Sequence, residues 1–105
     1  MPAKLGNVIK GFRLPPALIS TLEREVDRTQ RIQSDILVEA IEQYFRLRSQ
    51  NLEPYFRQGG RTAWFSIPDD VDSKIRLEAA TRKVYPAAIV VQALTEYFNP
   101  ASKSA

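Results

Sequence analysis

The chain has 105 residues, 15 Lys and Arg against 12 Asp and Glu, a net charge of +3, and neither Cys nor His. That length suits one ordinary domain, since two independent globules of half the size would bury too little surface. Without Cys there is no disulfide or thiolate site, and without His the commonest metal ligand and general base are gone.

Residues 1–13 carry Lys4, Lys10 and Arg13 with no acid. On charge alone this is a solvated basic tail, because a net charge this small does not itself argue for nucleic acid. It has no signal-peptide h-region, and no apolar run in the chain approaches the ~20 residues of a membrane span. The expectation is a soluble, cytoplasmic protein with no membrane partner.

Next, Phe12 and Leu14 alternate with Gly11 and Arg13, the period of a half-buried strand. Pro15 ends it, and Leu18, Leu22 and Val26 then recur at helical spacing. A polar break at Arg28–Gln33 precedes a second helix, whose wide apolar face is Ile36, Leu37, Ala40, Ile41 and Tyr44. Ser34 is expected to cap it or to sit in its first turn. Arg46 to Gly60 reads as a linker: its first residues extend the helix, Pro54 stops it, and Gly59-Gly60 supplies a hinge.

The plan then repeats. Ala63, Phe65 and Ile67 alternate with Thr62, Trp64 and Ser66; Pro68 follows, then Val71, Ile75 and Ala79. Asp69, Asp70 and Asp72 crowd the start of this helix, where the dipole favours anions. With no His or Cys nearby, capping outweighs metal or acid–base chemistry. After a break at Thr81–Pro86 comes the apolar face Ile89, Val90, Ala93, Leu94 and Tyr97.

Phe12–Phe45 aligns with Phe65–Phe98 without a gap, at an offset of 53 (65 − 12). Identities include Phe12/Phe65, Pro15/Pro68, Glu25/Glu78, Val38/Val91, Ala40/Ala93, Tyr44/Tyr97 and Phe45/Phe98. Aliphatic also faces aliphatic at Leu14/Ile67, Leu18/Val71, Leu22/Ile75, Ile36/Ile89, Leu37/Val90 and Ile41/Leu94. The matches are mostly apolar, so what is duplicated is a core pattern. A lone strand with one buried face leaves its backbone groups unpaired. The second copy supplies the missing strand, giving an antiparallel two-stranded ribbon enclosed by four helices.

Each unit resembles a ribbon-helix-helix motif of the MetJ/Arc/CopG repressor superfamily. The residues that carry the resemblance are the strands ending in "FRLP" and "FSIP", the spaced aliphatics after them, and the second helices "SDILVEAIEQYF" and "AAIVVQALTEYF". It covers about four-fifths of the chain and implies a mainly α fold around a two-stranded antiparallel ribbon. Its two units would form a pseudo-two-fold intramolecular dimer. The division is a first unit with a basic arm at 1–48, a linker at 49–60, a second unit at 61–98 and a disordered tail at 99–105.

The resemblance implies a sequence-specific double-stranded DNA-binding regulator, nucleoid-associated, whose ribbon enters the major groove and whose second-helix starts hold phosphates. Base contacts are assigned to Gly11, Arg13, Thr62, Trp64 and Ser66, with Ile9 also facing outward. Arg13 is the best reader, its planar fork matching guanine N7 and O6. Phosphate contacts are assigned to Lys4, Lys10, Arg31, Gln33, Ser34, Arg82, Lys83 and Ala87. Self-association between pseudo-dimers on DNA is an open possibility.

Two departures from the family pattern stand out. Ile9, Gly11 and Trp64 occupy a face that family ribbons usually keep polar. If the strands pair about their midpoints, Gly11 lies opposite Trp64, and the indole either covers the glycine or meets a thymine methyl. The second unit has Pro86-Ala87 where the first has the polar Gln33-Ser34, which leaves chiefly main-chain N–H groups there. Competing readings are an architectural accessory protein of a plasmid and an antitoxin-like interaction module, the latter weakened by a tail of only seven residues, "NPASKSA". No nucleophile lies beside a base, so an enzyme is not expected, nor any cofactor or small-molecule ligand.

Overall fold

The computed structural model describes residues 6–47 and 60–98. Strand β1 (Asn7–Leu14) leads into helices α1 (Pro16–Thr29) and α2 (Gln33–Leu47); strand β2 (Arg61–Pro68) leads into α3 (Asp69–Arg82) and α4 (Pro86–Phe98). The fold is mainly helical around one two-stranded antiparallel sheet. Residues 49–59 of the expected linker at 49–60, the tail at 99–105 and the arm residues 1–5, Lys4 among them, lie outside the described residues.

Local chemistry explains the boundaries. Pro15, extended at φ −61° and ψ 149°, hands β1 over to α1, with Pro16 in the first turn. Neither proline has an N–H to lose at a helix start, where those donors have no intrahelical acceptor anyway. Pro68 plays the same part before α3, whose first turn holds Asp69, Asp70 and Asp72, and Pro86 opens α4. Helices α1 and α3 both end in a left-handed residue, Gln30 at φ 57° and Lys83 at φ 59°, positions 53 apart. The Gln30 N–H donates to Val26 O at 2.8 Å. The Lys83 N–H donates to the Ala79 and Ala80 carbonyls. Both breaks therefore terminate the same way, without the glycine that usually fills this conformation.

The register pairs Gly11 with Trp64, Ile9 with Ser66 and Arg13 with Thr62. Gly11 and Trp64 are also equivalent under the 53-residue offset, so the ribbon is centred on that pair. Alternation then sorts the faces. Phe12, Leu14, Phe65 and Ile67 are buried, while Ile9, Gly11, Arg13, Thr62 and Trp64 are exposed.

Beneath the ribbon all six elements feed one apolar cluster. The Phe12 and Phe65 rings stand 6.2 Å apart, above Ile36, Ile41, Ile75, Ile89 and Leu94, each at most 1% exposed. Each such side chain removed from water contributes about 1.5–3 kcal/mol, so the ribbon is held chiefly by what lies under it. The expected helix faces hold with three shifts: Leu18, Val26 and Tyr97 are only partly buried, and Ile19 joins the core instead. Among the described residues, no helix is long and apolar enough to cross a membrane.

Candidate nucleic-acid interface

The outer ribbon face combines five residue types within a small area. Arg13 and Thr62 are exposed, Trp64 is 62% and Ile9 54% exposed, and Ser66 is half-buried. The Asn7 amide donates to Ser66 Oγ at 3.3 Å, which ties the two strands diagonally on this face. Asn7 was missed as an outward residue, although period-two parity extended one step back from Ile9 reaches it.

At the centre, the indole lies over Gly11. A Cβ built on Gly11 would come 2.9 Å from Trp64 Cζ3 and 2.8 Å from Thr62 Cγ2. The absence of a side chain at position 11 is therefore what lets the ring approach the opposite strand so closely, as expected for an aromatic covering a cross-strand glycine.

The start of α2 is fastened to the edge of β2. Gln33 Nε2 donates to Trp64 O at 2.8 Å, and the Ser66 N–H donates to Ser34 Oγ at 2.8 Å. Ser34 accordingly serves the strand edge from the first turn of the helix. In β2 these backbone groups point away from β1 and have no partner from the ribbon, so the two side chains satisfy one acceptor and one donor of that edge.

The start of α4 stands beside the edge of β1, in a groove of about 470 Å³ lined by Gly11, Arg13, Thr62, Tyr85, Pro86 and Ala87, with Lys10, Asp72 and Arg76 also in its wall. Pro86 and Ala87 bring no side-chain donor or acceptor. Instead Asp72, 4% exposed, accepts from Arg76 Nε at 3.1 Å, with Lys10 Nζ 3.8 Å away. Asp72 is equivalent to the buried Ile19 (19 + 53), and Lys10 to Ala63 (10 + 53). A buried carboxylate needs such partners, because desolvation disfavours its charge.

The cations assigned to phosphates are therefore placed differently from one another. Lys10 shares parity with the core-facing Phe12 and reaches Asp72, its side chain 41% exposed. Arg31 bonds Glu39 at 2.7 Å and donates to the Tyr97 hydroxyl, which itself donates to Glu39 at 2.9 Å. The Tyr97 hydroxyl and then Glu39 hold the Arg31 pKa above its ordinary value, and Tyr97 followed by Arg31 lowers that of Glu39. Arg82 pairs with the buried Glu78 at 2.8 Å and lies 5.9 Å over the Tyr44 ring. Lys83 is exposed at the end of α3. The structure thus gathers Gly11, Arg13, Thr62, Trp64 and Ser66 on one face, with Gln33, Ser34 and Ala87 flanking it. Arg31 and Arg82 are engaged in ion-pair clusters.

Two further exposed side chains were not anticipated. Ile32, 62% exposed, and Tyr85, 60% exposed, stand just ahead of α2 and α4 at positions 53 apart. Repeat equivalence alone could have paired them. Among the described residues no group of acidic side chains has the arrangement of a metal site. Compared with family models, curated proteins and solved structures, the chain matches none.

Proposed function

We propose that the chain is a sequence-specific double-stranded DNA-binding protein, acting as a transcriptional regulator at the nucleoid. In this reading its two units are the halves of a pseudo-two-fold intramolecular dimer of the ribbon-helix-helix type. The observation that carries it is the ribbon register centred on Gly11 and Trp64, positions that the repeat makes equivalent. A pseudo-two-fold axis through that pair would relate the exposed faces of the two strands and the starts of α2 and α4, which is what supports the reading. A major groove about 12 Å wide admits such a two-stranded ribbon.

The division of labour follows from chemistry. Arg13 supplies a bidentate donor for guanine, while Thr62 and Ser66 each offer one hydroxyl that donates or accepts. The helix starts supply main-chain N–H groups and the positive end of the dipole to the flanking phosphates. A net charge of +3 is small for this role, so specific contacts must contribute a large share of the affinity. A second reading, an architectural protein that reads groove shape, is favoured by the apolar Ile9 and Trp64 on the same face.

Selection of bound duplexes from a random library tests both. A consensus of definite bases supports the regulator, and a preference for deformable steps without a consensus supports the architectural protein. Failure to retain any duplex at low salt refutes both readings.

A further inference from the structure

We infer that Trp64 reads the C5-methyl group of a pyrimidine at the centre of the bound site, on one strand only. This inference rests on the DNA-binding reading and adds to it a ligand chemistry and a source of asymmetry.

Three observations carry it. Trp64 is at the centre of the register, opposite Gly11. Its six-membered ring closes on that glycine, since a Cβ at position 11 would come 2.9 Å from Cζ3 and 3.0 Å from Cε3. It is nonetheless 62% exposed, so much of the side chain is open to a ligand at the outer face of the ribbon. Apart from its single Nε1–H donor, an indole presented to a major groove offers only apolar surface there. The apolar group available on that floor is the methyl at pyrimidine C5.

The asymmetry comes from the unequal repeats. Positions 11 and 64 are equivalent, yet one is Gly and the other Trp. Two identical chains would place two indoles face to face, or two glycines. A single chain with unequal halves presents one ring, leaning from β2 over β1. The site centre is therefore read on one side, and its two strands are not interchangeable.

Thymine and 5-methylcytosine both carry this methyl, and the test separates them. The best duplex from the selection is rebuilt with deoxyuridine in place of each thymine in turn, and affinity is measured by fluorescence anisotropy. Loss of one buried methyl is expected to weaken binding about fourfold at one central position. That sensitivity is expected to disappear in Trp64→Thr, which keeps a strand-forming residue, and in Trp64→Ala. A central cytosine replaced by 5-methylcytosine then either gains about fourfold, which assigns recognition to the methyl alone, or gains nothing, which restricts it to thymine. The wild-type measurements need no mutant to fold. Because the chain has one Trp, its emission also reports the contact directly and is expected to shift to the blue on binding. Tight duplex binding with no central uracil effect overturns the inference while leaving the DNA-binding reading intact. So does a uracil effect that persists in both Trp64 variants. An absence of duplex binding altogether refutes the underlying reading instead.

Discussion

The two edges of the ribbon are built from equivalent positions with opposite chemistry. At the β2 edge the helix start is polar, Gln33 and Ser34 bonding to Trp64 O and Ser66 N–H, and the hollow beside it is lined by Ile19 and Ala63 together with the Arg61–Glu23 ion pair. At the β1 edge the helix start is Pro86 and Ala87, and below it Lys10, Asp72 and Arg76 form a polar cluster. Both edges thus carry an ion pair, Arg61–Glu23 and Arg76–Asp72, but only the β2 edge has a polar helix start and only the β1 edge has a buried carboxylate. The lesson is that the two repeats match in the core, where volume is constrained from every side, and differ at the edges.

Identical residues diverged in environment too. Tyr44 and Glu78 are buried together, the hydroxyl donating to Glu78 Oε2 at 2.9 Å with Arg82 on the same oxygen. Their equivalents Tyr97 and Glu25 take separate partners: Tyr97 bonds Glu39, and Glu25 bonds Arg28 on the surface. The largest expected effect follows from this. Glu78→Ala leaves a buried hydroxyl and a guanidinium without their shared acceptor, and is expected to cost about 3 kcal/mol in urea denaturation. Glu25→Ala, which removes a short-range surface pair, is expected to move the midpoint far less. Equal costs would show that the burial difference has no energetic meaning.

The same pair gives an alkaline signature. Burial, and then the hydrogen bond to Glu78, push the Tyr44 pKa from 10.0 up to about 12. The folded state therefore favours the neutral hydroxyl. Its contribution is fully present below about pH 10, the unfolded value, and is lost as pH rises from there towards 12. Tyr44→Phe is expected to flatten that loss and Tyr97→Phe to leave most of it, as read from denaturation midpoints between pH 9 and 12.

Next in size is the contrast between Arg13 and Ser66, equivalent positions on the outer face. Arg13→Ala is expected to lose about 1–3 kcal/mol of discrimination at one base position while binding random duplex nearly as before. Arg13→Lys is expected to recover only part, lacking the planar fork. Ser66→Ala, which removes a single hydroxyl already bonded to Asn7, is expected to cost less. Uniform weakening by Arg13→Ala on all duplexes, with a shallower salt dependence, would make it a phosphate contact.

How much of this was legible in the sequence differs by level. The strands, the four helices and the buried faces followed from period two, period 3.6 and proline punctuation, and Phe12, Phe65, Ile41 and Leu94 are buried as that pattern requires. The Gly11–Trp64 pairing was legible because a repeat fixes its own midpoint. The polar contacts were not. Asp72 read as one of several first-turn carboxylates, and only the packing of α3 against β1 turns it inward to Lys10. Ser34 read as a cap or first-turn residue, and its bond to β2 depends on a strand 32 residues away (66 − 34). Gln30 and Lys83 carry no mark of a left-handed residue, since the usual signal is glycine or asparagine.

Removing the fastening at the β2 edge ranks below the base contact. Ser34→Ala withdraws the acceptor of the Ser66 N–H, and is expected to cost about 1 kcal/mol of stability. If the start of α2 also grips a phosphate, affinity is expected to fall equally on specific and random duplex. A stability loss without any change in affinity across several salt concentrations would confine Ser34 to a structural role.

The smallest expected effect comes from making the edges alike. Ala87 is the equivalent of Ser34 (34 + 53) and borders the groove beside Arg13. Ala87→Ser places a hydroxyl where, in α2, one meets the strand edge. It adds only one oxygen to a half-buried position, and serine in the first helical turn carries little intrinsic penalty. The expected gain in stability is about 0.5 kcal/mol or less, the modest net value of one added hydrogen bond. Affinity is expected to rise slightly and equally on all duplexes, because the new group would lie against backbone and not base edges. Thermal denaturation and anisotropy at two salt concentrations read both quantities. A loss of more than about 1 kcal/mol would mean that the β1 edge is packed for the alanine methyl, since a hydroxyl buried without a partner costs that much. The two edges would then be alternative solutions, each complete in its own chemistry, and equalising them would weaken the ribbon.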